Sequence, residues 1–227
     1  GVNDKLQLEE TEQIYQSNNR KKFLRQGVTM LDSKSVFFKG DVEIGEDVEI
    51  EANVIFEGNV KLDDKVQIKS NTIIKNSVIS SGTEVKPYTI IEDSLVGKNC
   101  NIGPFARIRP NCTLEESVGI GNFVEVKASN IKKNTKANHL TYLGDSDIGE
   151  NVNVGAGVIT CNYDGVNKHK TVIKDNVFIG SDSQLIAPII VEEGVTIAAG
   201  STITDNSEKD SLLIARSRQQ EKKNWKR

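Results

Sequence analysis

The chain has 227 residues, of which 27% are charged, and its formal net charge is −3. This balance leaves no basic footprint, so it argues against a nucleic acid partner. No apolar run approaches the length of a membrane span and no secretory signal opens the sequence, so we expect a cytoplasmic protein without a membrane partner.

Residues 4 to 26 are predicted to form an N-terminal helix. Asn3 or Asp4 can cap its start, acidic residues lie early, basic residues lie late, and Gly27 follows its end. Its apolar residues are too sparse to form a core of their own. We therefore interpret residues 1–35 as a helical arm or linker that precedes the main domain.

From residue 36 to about residue 206 a large apolar side chain returns at every sixth position. The three longest series are Ile44, Ile50, Phe56, Leu62, Ile68 and Ile74; Val96, Ile102, Ile108, Leu114, Ile120 and Val126; and Ile173, Ile179, Leu185, Val191, Ile197 and Ile203. Neither an amphipathic helix nor a sheet of hairpins has this period. A single-stranded parallel β-helix does. If three hexads close one coil, residues one coil apart stack at about 4.8 Å.

A second set of small residues lies four positions after the large ones and is also predicted to point inward. Its members are Val48, Val54, Val60, Cys100, Ala106, Cys112 and Ser183. Two of the three cysteines occupy these slots, so we interpret them as buried free thiols rather than as a disulfide set. Cys161 lies just past an inward position, and no neighbour in sequence favours a nucleophilic role for it.

The repeat is interrupted at defined places. Steps of five residues occur at Ile74 to Ile79, Ile91 to Val96, Val126 to Ile131 and Leu143 to Ile148, and one step of 13 residues separates Thr160 from Ile173. The short steps predict trimmed corners. The long step contains the polar, turn-prone residues 161–170, which predicts an excursion loop that projects from the solenoid wall.

Residues 207–227 form the last predicted segment. The stretch from Ser217 to Arg227 is basic and includes Trp225. This composition is compatible with a short terminal helix or with a solvated tail.

Arg109 and Lys127 each follow an inward aliphatic residue and are 18 residues apart, so they are predicted to stack on the outer wall. Like charges on neighbouring strands repel. An anion between them, with phosphate as the natural candidate, would relieve that cost. The alternative is a pair of surface cations that splay apart.

His139 lies two positions after the inward Ala137 and is predicted to project from the wall, where an imidazole can act as a general base. Counting through the five-residue step places Glu125 on the neighbouring hexad, and a carboxylate there would raise the basicity of the imidazole. The alternative is an inert surface histidine.

Ala156 is predicted to stack one coil above His139. Ser181 and Ala199 occupy the equivalent place on later coils, and Asn162 joins the same column if the loop preserves the register. A column of small side chains leaves a shallow trench that suits a long, thin ligand, although small residues at corners can equally serve tight turning.

Six segments, taken in order, resemble one family. They are Gly103-Pro-Phe-Ala-Arg-Ile-Arg-Pro110, Gly121-Asn-Phe-Val-Glu-Val-Lys127, Asn138-His-Leu-Thr-Tyr-Leu-Gly144, Asn151-Val-Asn-Val-Gly-Ala-Gly157, Ile159-Thr-Cys-Asn-Tyr-Asp-Gly165 and Gly180-Ser-Asp-Ser-Gln184. The set resembles the acetyltransferase half of bacterial bifunctional N-acetylglucosamine-1-phosphate uridyltransferase / glucosamine-1-phosphate acetyltransferase. The resemblance spans nearly the whole chain and implies a left-handed β-helix.

The resemblance also implies substrates and residue roles. The expected reaction is direct transfer of an acetyl group from acetyl-CoA to the amine of glucosamine-1-phosphate, with His139 as the base. Glu125, from its predicted place on the neighbouring hexad, is the candidate residue that supports this base. The expected sugar-phosphate ligands are Arg109, Lys127, Tyr142 and Asn153, with Lys168 as a further contributor, and the expected acetyl-CoA contacts are Ala156, Asn162, Tyr163, Ser181, Ala199 and Arg216. The family is a homotrimer whose sites lie between subunits. No covalent acyl-enzyme is needed, and the backbone N–H of Ala156 is a candidate oxyanion donor.

The uridyltransferase half of that family has no counterpart in the sequence, which therefore resembles a fragment. We expect neither uridyltransferase activity nor a metal site in these residues, whereas the intact protein would have both activities and a Mg²⁺ site. Such a protein would serve UDP-N-acetylglucosamine biosynthesis for peptidoglycan and other envelope polymers.

Two other hypotheses compete with this one. A γ-type carbonic anhydrase shares the β-helix but needs three histidines around zinc, and only His139 and His169 are present. A non-catalytic solenoid that trimerises or regulates another domain belongs to a different functional class.

Overall fold

The computed structural model describes residues 1–225; Lys226 and Arg227, the last two residues of the predicted basic tail, lie outside the described part. One helix is followed by short strands that form three parallel sheets of 11, 10 and 9 strands. Each coil contributes one strand to each sheet, so the chain is a parallel β-solenoid of about ten coils.

The three sheets are the faces of the solenoid. The first face contains Thr29–Met30, Glu49–Ile50, Gln67–Ile68, Glu84–Val85, Asn101–Ile102, Gly119–Asn122, Lys136–His139, Asn153–Val154, Phe178–Ile179, Thr196–Ile197 and Leu212–Leu213. The second face contains Phe37–Lys39, Ile55–Glu57, Ile73–Lys75, Ile90–Glu92, Arg107–Ile108, Glu125–Lys127, Tyr142–Gly144, Ile159–Cys161, Gln184–Ile186 and Thr202–Ile203. The third face contains Val42–Ile44, Val60–Leu62, Val78–Ile79, Leu95–Val96, Thr113–Leu114, Asn130–Ile131, Ser146–Ile148, Thr171–Ile173 and Ile189–Val191.

The core is the column of residues that the six-residue period places inside. Ile68, Ile102 and Leu143 are completely buried. The small slots are buried as well, and Cys100 and Cys112 are free thiols whose pKa is raised by burial. Each coil thus buries one large and one small side chain per face, which confirms the interpretation of the repeat and of these two cysteines.

The interruptions of the repeat all lie at one corner. The four five-residue steps and the excursion after Thr160 connect the second face to the third. We call this corner, with residues 127–128, 144–145 and 161–170, the loop corner. We call the corner between the first and second faces, with Asn122, His139, Ala156, Ser181 and Ala199, the histidine edge.

The N-terminal helix spans Lys5–Arg25, and the Asp4 side chain caps it by accepting a hydrogen bond from the N–H of Gln7. The second half of this helix packs on the first coil of the solenoid. The buried Gln16 amide both donates to the carbonyl and accepts from the N–H of Phe38, at 2.8 and 2.9 Å. The Phe23 ring packs against the Phe38 ring with centroids 5.0 Å apart.

The paired strands extend beyond the predicted range of 36–206 at both ends. Thr29–Met30 pairs with Glu49–Ile50, and Leu212–Leu213 pairs with Thr196–Ile197. Within residues 207–225, the described part of the tail, the structure contains a strand and no helix.

Candidate active site

His139 ends a strand of the first face and lies exposed on the histidine edge, as predicted. Its ring nitrogen Nδ1 is 2.9 Å from Oδ1 of Asn122, which lies directly below it in the sheet register. The His139 carbonyl accepts a 2.7 Å hydrogen bond from the Thr141 hydroxyl. Both the ring and the backbone of this histidine are therefore held by neighbouring side chains.

The structure corrects the expected role of Glu125 beside His139. The register pairs Glu125 with Tyr142 on the second face, and the Glu125 carboxylate accepts a 2.8 Å hydrogen bond from Arg109 Nη1. The side chain next to the imidazole is Asn122. The sequence could have predicted this neighbour. A coil that contains one five-residue step has 17 residues, which places residue 122 directly below residue 139.

Ala156, Ser181 and Ala199 stack above His139 along the histidine edge, since the inward residues two positions before them are register partners. Arg216 lies beside the top of this column, and its Cδ would be 3.7 Å from a Cβ added to Gly200. Asn162 does not join the column. It follows a strand of the second face and lies at the loop corner, because the excursion begins one face later than the column requires.

The excursion loop folds into a small hairpin on the outside of the loop corner. Tyr163 and Lys168 form an antiparallel bridge, and the His169 N–H donates to the carbonyl of Asn162 at 2.8 Å. The Asp164 carboxylate accepts hydrogen bonds from the Asn167 and Val166 N–H groups and lies 2.7 Å from His169 Nε2. The Asn167 N–H, followed by His169 and the Val166 N–H, holds the pKa of Asp164 well below its usual range.

A column of charged residues runs along the second face at the end next to the loop corner. In order from the N-terminal coils, the register aligns Glu57, Lys75, Glu92, Arg109 and Lys127. The charges alternate until Arg109 and Lys127, which are two cations on adjacent coils, as predicted. Their expected repulsion is already moderated, because Arg109 is paired with Glu125 and Lys127 Nζ lies 3.3 Å from Asp145 Oδ2.

Lys168 joins these two cations from the excursion loop. The neighbouring Lys127 ammonium lowers the pKa of Lys168. The cation cluster of Arg109, Lys127 and Lys168 therefore outnumbers its two carboxylates, Glu125 and Asp145, by one charge. Such an excess favours an anion with several oxygen acceptors.

Tyr142 lies on the second face, between the histidine edge and the loop corner. It starts the strand that follows His139, and its hydroxyl lies over Gly144, where an added Cβ would overlap it. Asn162 donates to the Asp145 carboxylate, which also accepts from Lys127. Asp145, which sequence reasoning missed, therefore connects the loop to the cation cluster.

One predicted ligand lies elsewhere on the chain. Asn153 is half-buried on the first face between Lys136 and Phe178, and it is separated from the cation cluster by the histidine edge. The predicted site residues thus occupy four places: the histidine edge, the second face, the loop corner and the outside of the first face.

Within residues 1–225, no group of three or more histidine, cysteine or carboxylate side chains is arranged to hold a metal ion. The described part of the chain also contains no helix that is long and apolar enough to cross a membrane.

Two family models match the sequence, each over less than half of it. Residues 38–128 match the GMPPB C-terminal domain, and residues 170–205 match the bacterial transferase hexapeptide, a unit of six repeats. The repeat match agrees with the observed coils, and the fold is a hexapeptide-repeat parallel β-helix.

Several solved structures are similar to this chain. The Francisella novicida UDP-N-acetylglucosamine acyltransferase matches at 18% identity and a TM-score of 0.41, over 73% of this chain and 60% of that one. The Bacteroides fragilis UDP-N-acetylglucosamine acyltransferase LpxA matches at 16% identity and a TM-score of 0.36, over 82% and 68%. The polysialic acid O-acetyltransferase OatWY matches at 11% identity and a TM-score of 0.32, over 87% and 93%. Likeness at this level does not specify a substrate.

Proposed function

We propose that this chain is an acetyltransferase that moves the acetyl group of acetyl-CoA to the amine of glucosamine-1-phosphate, producing N-acetylglucosamine-1-phosphate and CoA. The observation that carries the proposal is a held, exposed His139 on one edge of the second face and a cation cluster on its other edge. An amino-sugar phosphate has the two matching groups, an amine that must lose a proton and a phosphate that binds cations.

Arg109, Lys127 and Lys168 would bind the phosphate. Arginine offers a planar fork of donors, and lysine offers a compact charge with three donors. Glu125 acts through Arg109, whose guanidinium it orients at 2.8 Å, and so it is a positioning residue in this proposal. The Tyr142 hydroxyl, which lies over Gly144, would donate to the sugar phosphate from the floor of the site.

In the reacting complex the amine nitrogen attacks the thioester carbonyl carbon. The new N–C bond forms, the C–S bond breaks, the amine proton passes to Nε2 of His139, and the CoA sulfur leaves and takes up a proton. The carbonyl oxygen that becomes negative needs a donor. The N–H of Ala156, one coil above His139, donates no hydrogen bond to another group of residues 1–225 and is available for that oxygen.

Acetyl-CoA would lie along the histidine edge, where Ala156, Ser181 and Ala199 stack in a column that ends beside Arg216. The remaining predicted contacts, Asn153, Asn162 and Tyr163, lie on other parts of the same chain. We propose that they complete sites between neighbouring subunits of a homotrimer, in which each solenoid is left-handed. This arrangement is supported by the resemblance and by the separation of these residues on the surface of one chain.

The wider setting is also part of the proposal. Residues 36–206 would be the acetyltransferase domain, 1–35 the connection to a uridyltransferase domain with its Mg²⁺ site, and 207–227 a tail. The intact protein would then act in the cytoplasm on the route to UDP-N-acetylglucosamine and peptidoglycan.

The direct test is acetylation of glucosamine-1-phosphate by the purified chain with acetyl-CoA, followed through the released thiol. His139→Ala removes the proton acceptor, and we expect kcat to fall by about 10²- to 10⁴-fold. Lys133→Ala, an exposed residue paired with Glu150 near the opposite corner, is the matched surface control. Undiminished turnover by His139→Ala would contradict the catalytic assignment, whereas absence of acetylation by the wild-type chain would favour the non-catalytic solenoid.

A further inference from the structure

We propose that Asn122 is the positioning residue of the catalytic histidine: its side-chain oxygen accepts the Nδ1 proton of His139 and so leaves Nε2 as the proton acceptor. The inference rests on the proposed function, since a free Nε2 serves catalysis only if His139 takes the proton of the amine. The tautomer itself is a property of this chain and can be measured without any substrate.

The solenoid brings the two side chains together by a local extension of its sheet. Gly119–Asn122 and Lys136–His139 are strands of four residues, whereas the other strands of the first face have two. The pairing of these two strands therefore continues past the inward residues Ile120 and Ala137 and ends with Asn122 opposite His139. The contact lies at the extended part of the ladder, where the backbone holds both residues in register.

Gly121 allows this close approach. A Cβ at this position would overlap the carbonyl group of Asn138, which belongs to the next coil. The absence of a side chain therefore lets the two coils meet directly beside the Asn122 to His139 contact. Above the imidazole lies Ala156, which has no polar side-chain atom, so Asn122 provides the side-chain hydrogen bond to this ring among the described residues.

The chemistry of the pair decides the tautomer. An amide oxygen can only accept a hydrogen bond, so the nitrogen that faces it must carry the proton. A neutral imidazole has one N–H, and its proton at Nδ1 leaves a lone pair at Nε2. A partner on one ring nitrogen that fixes the tautomer and orientation of a histidine base is a recurring device of catalytic sites.

The tautomer is measured by long-range ¹H–¹⁵N correlation NMR on the ¹⁵N-labelled chain above pH 8, where imidazoles are neutral. The chain has two histidines, and His169→Gln assigns the signals. We expect wild-type His139 to be protonated at Nδ1. Asn122→Asp keeps an acceptor oxygen in the same place and should keep that tautomer, while Asn122→Leu, of similar size, should shift the population towards Nε2–H.

A wild-type His139 protonated at Nε2 would overturn the inference, because it would mean that the amide presents its NH₂ group to the ring. An unchanged tautomer in Asn122→Leu would overturn it as well. If Asn122→Leu does not fold, the wild-type spectrum and that of Asn122→Asp still decide the question.

Kinetics then separate positioning from binding. Asn122→Leu should lower kcat by about 10- to 100-fold, less than the loss of the base itself, while both KM values stay within about twofold. Asn122→Asp should restore most of kcat. Equal kcat values for Asn122→Leu and wild type would contradict the positioning role. Absence of acetylation by the wild-type chain would instead count against the proposed function, and the tautomer result would stand.

Discussion

The histidine edge and the loop corner are two corners of the same solenoid, but they differ in the length of the steps between faces and in the side chains that they expose. At the histidine edge the steps between faces keep six residues, so small side chains stack in an unbroken column and His139 is held by a neutral partner. At the loop corner four steps shorten to five and one lengthens to thirteen, and ion pairs and a hairpin occupy the surface. The regular corner thus carries a column of mostly small side chains, while the irregular corner carries charged side chains from several coils.

The largest effect should come from closing the space at the histidine edge. Gly121→Ala places a Cβ against the carbonyl of Asn138, a backbone group that cannot rotate away. We expect the free energy of unfolding to fall by about 3 kcal/mol, the upper end for overpacking, as measured by urea denaturation.

The matched change at the loop corner is Gly165→Ala. An added Cβ there has nothing within 4 Å, so its cost comes only from the positive φ of 100°. This cost should be about 1 kcal/mol. Equal losses for the two variants would show that space between coils is not what distinguishes the histidine edge.

The next effect concerns the cation cluster. Lys127→Ala removes one charge-assisted contact to the sugar phosphate, worth about 2 kcal/mol. We expect KM for glucosamine-1-phosphate to rise about 30-fold and KM for acetyl-CoA to change by less than about threefold, as measured by initial rates.

Lys75→Ala is the control for that prediction. Lys75 occupies the same place in its coil but belongs to the alternating part of the column, where it is paired with Glu57 at 2.8 Å. Its removal should leave both KM values unchanged. Parallel rises of the two KM values in Lys127→Ala would argue against a phosphate site at this corner.

The smallest effect concerns the hairpin of the excursion loop. Because the folded-state pKa of Asp164 lies below its usual range, its stabilising effect is present above about pH 4 and is lost as the pH falls further. The N–H groups of Val166 and Asn167 donate hydrogen bonds to the Asp164 carboxylate. Amide hydrogen exchange at these two residues should therefore accelerate at low pH relative to exchange at the core amide of Ile120.

Asp164→Asn keeps the acceptor oxygen but removes the charge, so its loop should exchange faster at neutral pH and show little further change on acidification. If the amides of wild type and Asp164→Asn are equally protected from hydrogen exchange at pH 7, the charge of the Asp164 carboxylate does not stabilise the loop.

Most of the fold could be predicted because a period of six permits few structures. The repeat predicted the buried columns, the stacking of Arg109 on Lys127 and the place of the excursion. The N-terminal helix was predicted as well, but its few apolar residues give no sign that Phe23 and Gln16 pack on the first coil. The repeat failed for Asn162, because counting hexads through a 13-residue step does not say which face the chain has reached.

The sequence by itself determined which side chains point inward, since periodicity is a local property of the chain. It also placed His139 outside and Ala156 above it. Only the tertiary structure decided the partners of the outward side chains. The Glu125 carboxylate pairs with Arg109, and the Asn122 amide lies beside the His139 ring. The physical reason is that outward side chains are long and mobile, so the geometry between coils and across corners decides which of several neighbours they meet.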